Sequence, residues 1–373
     1  MRAIAALLVF LFHSLGLSAM YSNNAEIRTL YTIWSHIGPA GVDIFFVISG
    51  FIMFNISYRD VEKIQSAGRL RLGMNFLMRR AARIYPLYWI TLAVMILVPA
   101  WWDNQWHLLL LDRLAELQKY PMSLLLWGQP SFDLVAWTLV YEMLFYITVT
   151  ILMLVGGARF GRGFFLWCCF QILLVAAAMI GGFPVYPISN PITLEFILGV
   201  GLAYIVSRGI NTYPRLSLVA GSLGLIASML VLDDGSITSM PLLRVGGYAL
   251  PSAAILYGII SLEVKSRIRI PRPLVICGDI SYSIYLWHIA LLMLLGFVWT
   301  HLHLFESRSG CFAYLATGIA LTLLTSGLSY HLIERPAMKV ALAYHGFFLE
   351  RFLIYYQLMR GWLRIHRGPV LEN

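Results

Sequence analysis

Five ionisable residues lie within long apolar segments of this 373-residue sequence. They are His13, Asp43, Glu142, Glu195 and His288. A charged group is costly in the hydrocarbon of a membrane, so an ionisable residue inside a spanning segment is a candidate functional residue. Imidazole and carboxylate groups are also the common general acids and bases of enzymes. The pattern therefore predicts acid–base chemistry inside a membrane domain.

Arg2 and His13 fall on the same face of the first apolar segment. A separation of eleven residues corresponds to about 1100° of helical rotation, within about 20° of three turns, and to about 16 Å of rise. Glu142 lies about 10 Å below the expected outer end of its own segment, near the level of His13. A contact between His13 and Glu142 is geometrically possible, and it would orient the imidazole as a general base and stabilise its charged form.

The other three intramembrane residues have structural alternatives. His288 either lines the site or only hydrogen-bonds a neighbouring helix. Asp43 caps a helix, lines an outer vestibule or belongs to ordinary packing. Glu195 follows Pro191 near the expected outer face, where a carboxylate reaches water without any functional role.

Arg79, Arg80 and Arg83 crowd the expected cytoplasmic start of a span, directly before Ile84-Tyr85-Pro86. Anchoring by the positive-inside rule explains their charge but not the concentration of guanidinium groups. Arg80 and Arg83 project from one face of a helix, and the planar guanidinium fork matches phosphate oxygens. A phosphorylated cytoplasmic ligand would explain the concentration of guanidinium groups. Coenzyme A, which carries three phosphates, is such a ligand.

Hydrophobic residues make up 60% of the chain and charged residues only 12%, and the mean hydropathy is +0.76. Average soluble proteins carry roughly twice this charged fraction, so a soluble enzyme is excluded. Ten apolar runs approach the length of a membrane span. They lie at about Ile4–Ala19, Gly38–Ile56, Ile84–Trp102, Val135–Val155, Phe164–Ile180, Pro191–Val206, Leu216–Leu232, Val245–Leu262, Ile280–Thr300 and Cys311–Ile333.

Basic residues are distributed unevenly between the two sides that these spans define. Of the 27 Lys and Arg residues, 22 fall on the side of the N-terminus. The positive-inside rule therefore predicts that both termini are cytoplasmic. The same rule explains the net charge of +9, which in a soluble protein would suggest a nucleic acid ligand; here no nucleic acid is expected.

Two segments differ from the spans. The segment Trp106–Gln118 mixes leucines with charged residues, which favours a helix on the outer membrane surface. The segment Phe347–Arg367 is rich in aromatic residues, and its polar positions fall within an arc of about 100°, which predicts an interfacial helix on the inner leaflet. The sequence thus predicts an all-α integral membrane domain, residues 1–336, followed by a cytoplasmic, basic, amphipathic tail, residues 337–373.

Five segments resemble the motifs of the bacterial membrane-bound acyltransferase family 3, whose members O-acetylate exopolysaccharides, lipopolysaccharide O-antigens and nodulation factors. The segments are Arg2–His13, Gly41–Phe51, Arg80–Pro86, Trp137–Tyr146 and Gly278–His288. The similarity runs from Arg2 to about Pro336, and the order of several motifs makes it specific.

The resemblance implies an enzyme of ten spans in the bacterial inner membrane. Such an enzyme transfers an acyl group, typically acetyl from acetyl-CoA, from the cytoplasm to a hydroxyl of a cell-surface, exported or lipid-linked glycan. In that family an essential Arg and His are separated by ten residues, and they fall on Arg2 and His13. The family's Arg-x-x-Arg falls on Arg80 and Arg83, and its glutamate falls on Glu142.

We therefore expect acyl-CoA to bind with its phosphates near Arg80, Arg83 and Arg2. His13, oriented by Glu142, then either deprotonates the acceptor hydroxyl or carries the acyl group briefly. Further candidates for the lining of the site are Asp43, Tyr85 and His288. No bound cofactor and no metal ion is expected, because the candidate groups form no metal-ligand set.

The alternative is a transporter or flippase for a polar solute, in which His13, Glu142 and His288 form a proton relay. Transporters of this kind typically show repeat symmetry and matched breaks in their spans, and the sequence shows neither.

Overall fold

A computed structural model describes residues 1–62, 68–102, 106–127, 134–156, 159–182, 185–232, 240–341 and 343. Within these ranges the regular elements are helices, and nine of them are long and apolar enough to cross a membrane. Another apolar helix, Thr193–Ser207, is shorter and coincides with the sixth expected span. The predicted all-α membrane architecture is therefore confirmed, whereas the cytoplasmic location of both termini stays a prediction.

The helices are numbered in chain order. They are α1 (Arg2–Tyr21), α2 (Ala25–Ser35), α3 (Ala40–Glu62), α4 (Arg69–Trp102), α5 (Trp106–Lys119), α6 (Ala136–Gly156), α7 (Phe160–Gly181), α8 (Thr193–Ser207), α9 (Pro214–Val231), α10 (Pro241–Val264), α11 (Arg272–Asp279), α12 (Ser281–His301) and α13 (Arg308–Ala341). Two π turns, Val245–Ala249 and Tyr330–Glu334, interrupt α10 and α13.

Ordinary start and stop signals delimit these helices. The side chains of Asn24 and Ser307 accept hydrogen bonds from free backbone N–H groups at the starts of α2 and α13. Pro214 and Pro241 occupy the first positions of α9 and α10, where the missing N–H costs nothing. Gly182 ends α7 with a φ of 67°, a conformation that glycine adopts without steric cost.

Helix α4 extends further than the hydropathy pattern indicates. It begins at Arg69 instead of Ile84, so Arg79, Arg80 and Arg83 project from one continuous helix. The difference arises because hydropathy detects the apolar part of a helix and not a polar extension that continues it. The two arginines on the inward face are consequently held by the same rigid element as the apolar segment.

The predicted and the observed helices also differ outside the spans. The predicted helix at Trp106–Gln118 is present as α5. Helices α2 and α11 were not expected, because both are short and rich in polar residues. Helix α13 continues to Ala341, past the expected domain boundary at residue 336. The interfacial helix expected at Phe347–Arg367 lies outside the described residues.

Helix α3 is the centre of the bundle and packs against α1, α6, α8 and α10. Two glycines bring the α3 and α8 backbones into direct contact. A Cβ atom at Gly199 would overlap the carbonyl oxygen of Val47, and a Cβ atom at Gly50 would overlap that of Phe196. Small residues are the common means of close helix approach in membranes, where lipid tails compete with apolar side chains. Helix α8 thereby fixes the position of α3.

We expect the substitution Gly199→Ala to destabilise the protein by roughly 1–3 kcal/mol, because the added methyl group meets backbone atoms of α3. Gly201→Ala is a matched control on the same helix, since no atom lies within 4 Å of its added Cβ. Thermal unfolding of the detergent-purified variants measures both effects. A Tm of Gly199→Ala equal to that of Gly201→Ala would contradict the close packing of α3 on α8.

Candidate functional site

A cavity that is partly open to the exterior lies among α1, α3, α4, α6 and α12. Apolar side chains of α3 form much of its wall. Its charged lining consists of Arg2, Arg80, Arg83 and Glu142. All four were candidate site residues from the sequence, and the structure brings them together from three helices. The cavity is therefore the candidate ligand site.

The guanidinium groups of this cavity have few protein partners. Within the described part of the chain, the side chain of Arg2 forms no hydrogen bond or ion pair, and the buried Nε of Arg80 has no hydrogen-bond partner. The guanidinium carbon of Arg80 lies 5.4 and 5.7 Å from the ring centres of Phe76 and Tyr146. Guanidinium donors that lack a partner inside a cavity favour an anionic ligand.

Glu142 is fixed within the arginine cluster. Its Oε1 accepts hydrogen bonds from the hydroxyl groups of Ser49, at 3.1 Å, and Tyr146, at 2.6 Å. Arg2 and Arg80 line the same cavity. Glu142 therefore places a carboxylate, held by two hydroxyl groups, in the cavity that contains the guanidinium groups.

Glu334 is a site residue that the sequence analysis missed. It is 1% exposed, accepts a hydrogen bond from the Ser283 hydroxyl, and places Oε2 3.9 Å from Nε of Arg83. The last expected span ended at Ile333, so Glu334 fell just outside the segments that were searched for ionisable residues. The π turn Tyr330–Glu334 instead directs it into the bundle. A carboxylate directly after an apolar run was the signal available in the sequence.

His13 and His288 form a pair between α1 and α12, with 3.1 Å between Nδ1 of His13 and Nε2 of His288. Nδ1 of His288 lies 3.2 Å from the carbonyl oxygen of Ile284, which only accepts, so Nε2 of neutral His288 is an acceptor. Nδ1 of His13 then carries the proton, which it shares between His288 and the carbonyl oxygen of Val9 at 3.0 Å. This tautomer leaves a lone pair on Nε2 of His13.

The contact considered between His13 and Glu142 is not formed in the structure. Glu142 is hydrogen-bonded to side chains of α3 and α6, and His13 pairs with α12. Depth along a span does not determine the direction in which a side chain points. Similar depth was therefore not enough to predict a contact between His13 and Glu142. Neither His13 nor His288 lines the arginine cavity. The ring of Tyr285, which does line it, lies 5.8 Å from the ring of His288.

Asp43 belongs to a second polar cluster, outside the lining of this cavity. Each of its carboxylate oxygens accepts a hydrogen bond from Arg244 at 3.0 Å. Glu195 is fully buried beside this pair, next to the carboxyl group of Asp43. The cluster joins α3, α8 and α10. Asp43 and Glu195 therefore lie at a helix contact, and neither reaches an outer vestibule or water.

Tyr85 also lies outside the lining of the cavity. Its hydroxyl donates a hydrogen bond to the carbonyl oxygen of Leu125 at 2.8 Å, and its ring lies 5.3 Å from that of Trp89. Tyr85 therefore attaches α4 to the segment that follows α5.

The candidate site has two parts that differ in chemistry. The cavity with Arg2, Arg80 and Arg83 is suited to an anion, and His13 provides an oriented nitrogen base. Across the described ranges, no group of three or more His, Cys, Asp or Glu side chains is arranged to hold a metal ion.

Comparisons with known proteins agree on one class of enzyme. A family model described as an acyltransferase domain matches residues 1–332. The exopolysaccharide production protein ExoZ of Rhizobium meliloti (strain 1021) is 33% identical over 264 residues, covering 68% of this chain and 76% of that protein. A Staphylococcus aureus (strain COL) protein, named as a candidate O-acetyltransferase, is 25% identical over 385 aligned positions, covering 91% of this chain and 56% of that protein. This chain thus spans about half the length of the staphylococcal relatives. No solved structure matches it significantly.

The Asp43 cluster gives a stability prediction. We expect Asp43→Asn to destabilise the protein by about 3–5 kcal/mol, because it breaks the buried ion pair with Arg244. Glu195→Gln is the matched control in the same cluster: it keeps the shape of the side chain and leaves that ion pair in place. We expect Tm to fall strongly only for Asp43→Asn. A larger loss of Tm in Glu195→Gln would refute this assignment of the ion pair.

Proposed function

We propose that this chain transfers an acyl group from cytoplasmic acyl-CoA to a hydroxyl of a cell-surface or exported glycan. It belongs to the acyltransferase family whose model matches residues 1–332, and it is an O-acyltransferase. Acetyl-CoA is the proposed donor, since some relatives are named as O-acetyltransferases. The proposed location is the bacterial inner membrane, which lies between a cytoplasmic donor and an exported acceptor.

The cluster of three guanidinium groups in one cavity is the observation that carries this proposal. The carboxylates of Glu142 and Glu334 leave at least one positive charge uncompensated, and Nε of Arg80 still lacks a partner. Coenzyme A brings three phosphate groups, whose oxygens accept paired hydrogen bonds from guanidinium forks. A neutral solute would leave these donors desolvated and unpaired.

His13 is the proposed catalytic base. Its Nε2 accepts the proton of the acceptor hydroxyl while the hydroxyl oxygen attacks the thioester carbonyl carbon. The carbon–sulfur bond then breaks, and the thiolate takes the proton from the imidazolium, so that free coenzyme A leaves as the thiol. If Nε2 attacks the thioester itself, an acyl-imidazole forms first and the glycan hydroxyl displaces it. Both routes use the lone pair that the contact with His288 leaves on Nε2.

Glu142 has a different role in this mechanism from the one that the sequence suggested. It contacts the cavity side chains and not His13, so we assign it to positioning Arg2 and Arg80. His288 takes over the positioning of the His13 ring.

We expect His13→Ala to lower acyl transfer at least about 100-fold, the size of a typical general-base contribution, with Tm close to wild type. The assay measures the thiol released from acetyl-CoA and the acyl group gained by a glycan acceptor. His331→Ala is the control, since the side chain of His331 is exposed and does not line the cavity. Substantial transfer by well-folded His13→Ala would exclude His13 as base or acyl carrier.

We also expect Arg80→Lys and Arg83→Lys to weaken coenzyme A binding about tenfold or more, because an ammonium group cannot form the paired hydrogen bonds of a guanidinium. Arg79→Lys is the matched control, because Arg79 is exposed on the same helix and does not line the cavity. Equilibrium binding of coenzyme A to the purified proteins gives the dissociation constants. Wild-type affinity in both cavity variants would show that these arginines serve only to anchor the helix.

A further inference from the structure

Two aromatic rings connect the arginine cavity to the histidine pair by contact. Phe45 from α3 and Tyr285 from α12 both line the arginine cavity, with ring centres 5.8 Å apart in an edge-to-face contact. Tyr285 also contacts His288, with 5.8 Å between the ring centres. The wall of the cavity nearest to the histidine pair therefore includes Tyr285, with Phe45 packed against it.

The order of residues along α12 also connects the arginine cavity to the histidine pair. Tyr282 lies beneath the guanidinium group of Arg83, at 5.9 Å, and Tyr285 and His288 follow at intervals of three residues on the same helix. Each interval turns the side chain by about 60° around the helix, and Tyr282 and His288 are about 9 Å apart along its axis. A donor held by its phosphates at Arg83 must therefore extend along α12 for its thioester to reach the histidines.

Only one of the two rings is held by hydrogen bonds. The hydroxyl of Tyr285 contacts Oγ1 of Thr138 at 2.9 Å and donates to the carbonyl oxygen of Val135 at 3.2 Å, so its ring is attached to α6. Phe45 has no polar atom and is only partly buried. Packing alone holds its side chain. Rotation about χ1 would therefore change the space between the rings of Phe45 and Tyr285.

Apolar rings also limit the space at the histidine pair. Phe12 lies 4.9 Å from the ring of His13, and Phe10 lies 6.5 Å from that of His288. An acyl chain that reaches Nε2 of His13 must fit among these rings.

On the basis of the proposed function, we propose that Phe45 and Tyr285 form an aperture that restricts the acyl group to an acetyl-sized chain, and that Phe45 is the specificity-determining residue. The aperture does not affect phosphate binding, because the arginines hold the phosphates and the two rings meet only the acyl end of the donor. Its effect is on which thioester carbonyl reaches the catalytic imidazole.

The test measures kcat and KM with acetyl-, butyryl-, hexanoyl- and octanoyl-CoA. For Phe45→Ala we expect the ratio of kcat/KM for hexanoyl-CoA to that for acetyl-CoA to rise about tenfold or more. Phe51→Ala is the matched control, because Phe51 is on the same helix but does not line the cavity. Phe45→Leu keeps apolar packing and replaces Phe45→Ala if that variant is unstable.

The possible results separate this proposal from the one on which it rests. A wild-type enzyme that uses acetyl-CoA, with the same chain-length profile in Phe45→Ala, Phe45→Leu and Phe51→Ala, would overturn the aperture alone. A wild-type enzyme that consumes none of the four thioesters would overturn the proposed function and the aperture with it. A broadened profile confined to the Phe45 variants would support the aperture.

Discussion

Positive charge buried without sufficient protein partners is the constraint on which this structure depends. Three guanidinium groups line one cavity inside a helical membrane domain, and the nearby carboxylates do not compensate all of their charge. Burial of an unpaired charge costs several kcal/mol, so such a cluster persists only if its position is strongly determined by the surrounding helices. Glu142 and Glu334 reduce that cost, and an anionic ligand would reduce it further.

The helices around the cavity are held by contacts that tolerate little movement. Gly50 and Gly199 place α3 directly on α8, and the paired hydrogen bonds between Asp43 and Arg244 join α3 to α10. Helix α3 thus stands fixed between a close backbone contact and a buried ion pair. Because α3 also supplies Phe45 and the apolar wall of the cavity, these contacts determine the shape of the site although they lie outside it.

The sequence predicted the parts of this molecule that depend on local pattern. Apolar runs revealed the spans, and the spacing of Arg80 and Arg83 placed them on one helix face. The partners of buried polar groups were not predictable in the same way, since they depend on how helices rotate and cross. Arg244, for example, pairs with Asp43, which lies 201 positions away in the sequence. Likewise, His13 pairs with His288 and not with a carboxylate.

Cryo-electron microscopy of the protein with a thioether analogue of acetyl-CoA, which cannot transfer its acyl group, would show whether the guanidinium cavity holds the acyl donor. We expect density for the phosphate groups against Arg2, Arg80 and Arg83, with the thioether directed past Tyr285 towards His13. Ordered density for the analogue elsewhere on the protein, with the guanidinium cavity free of it, would show that the donor does not bind at these arginines.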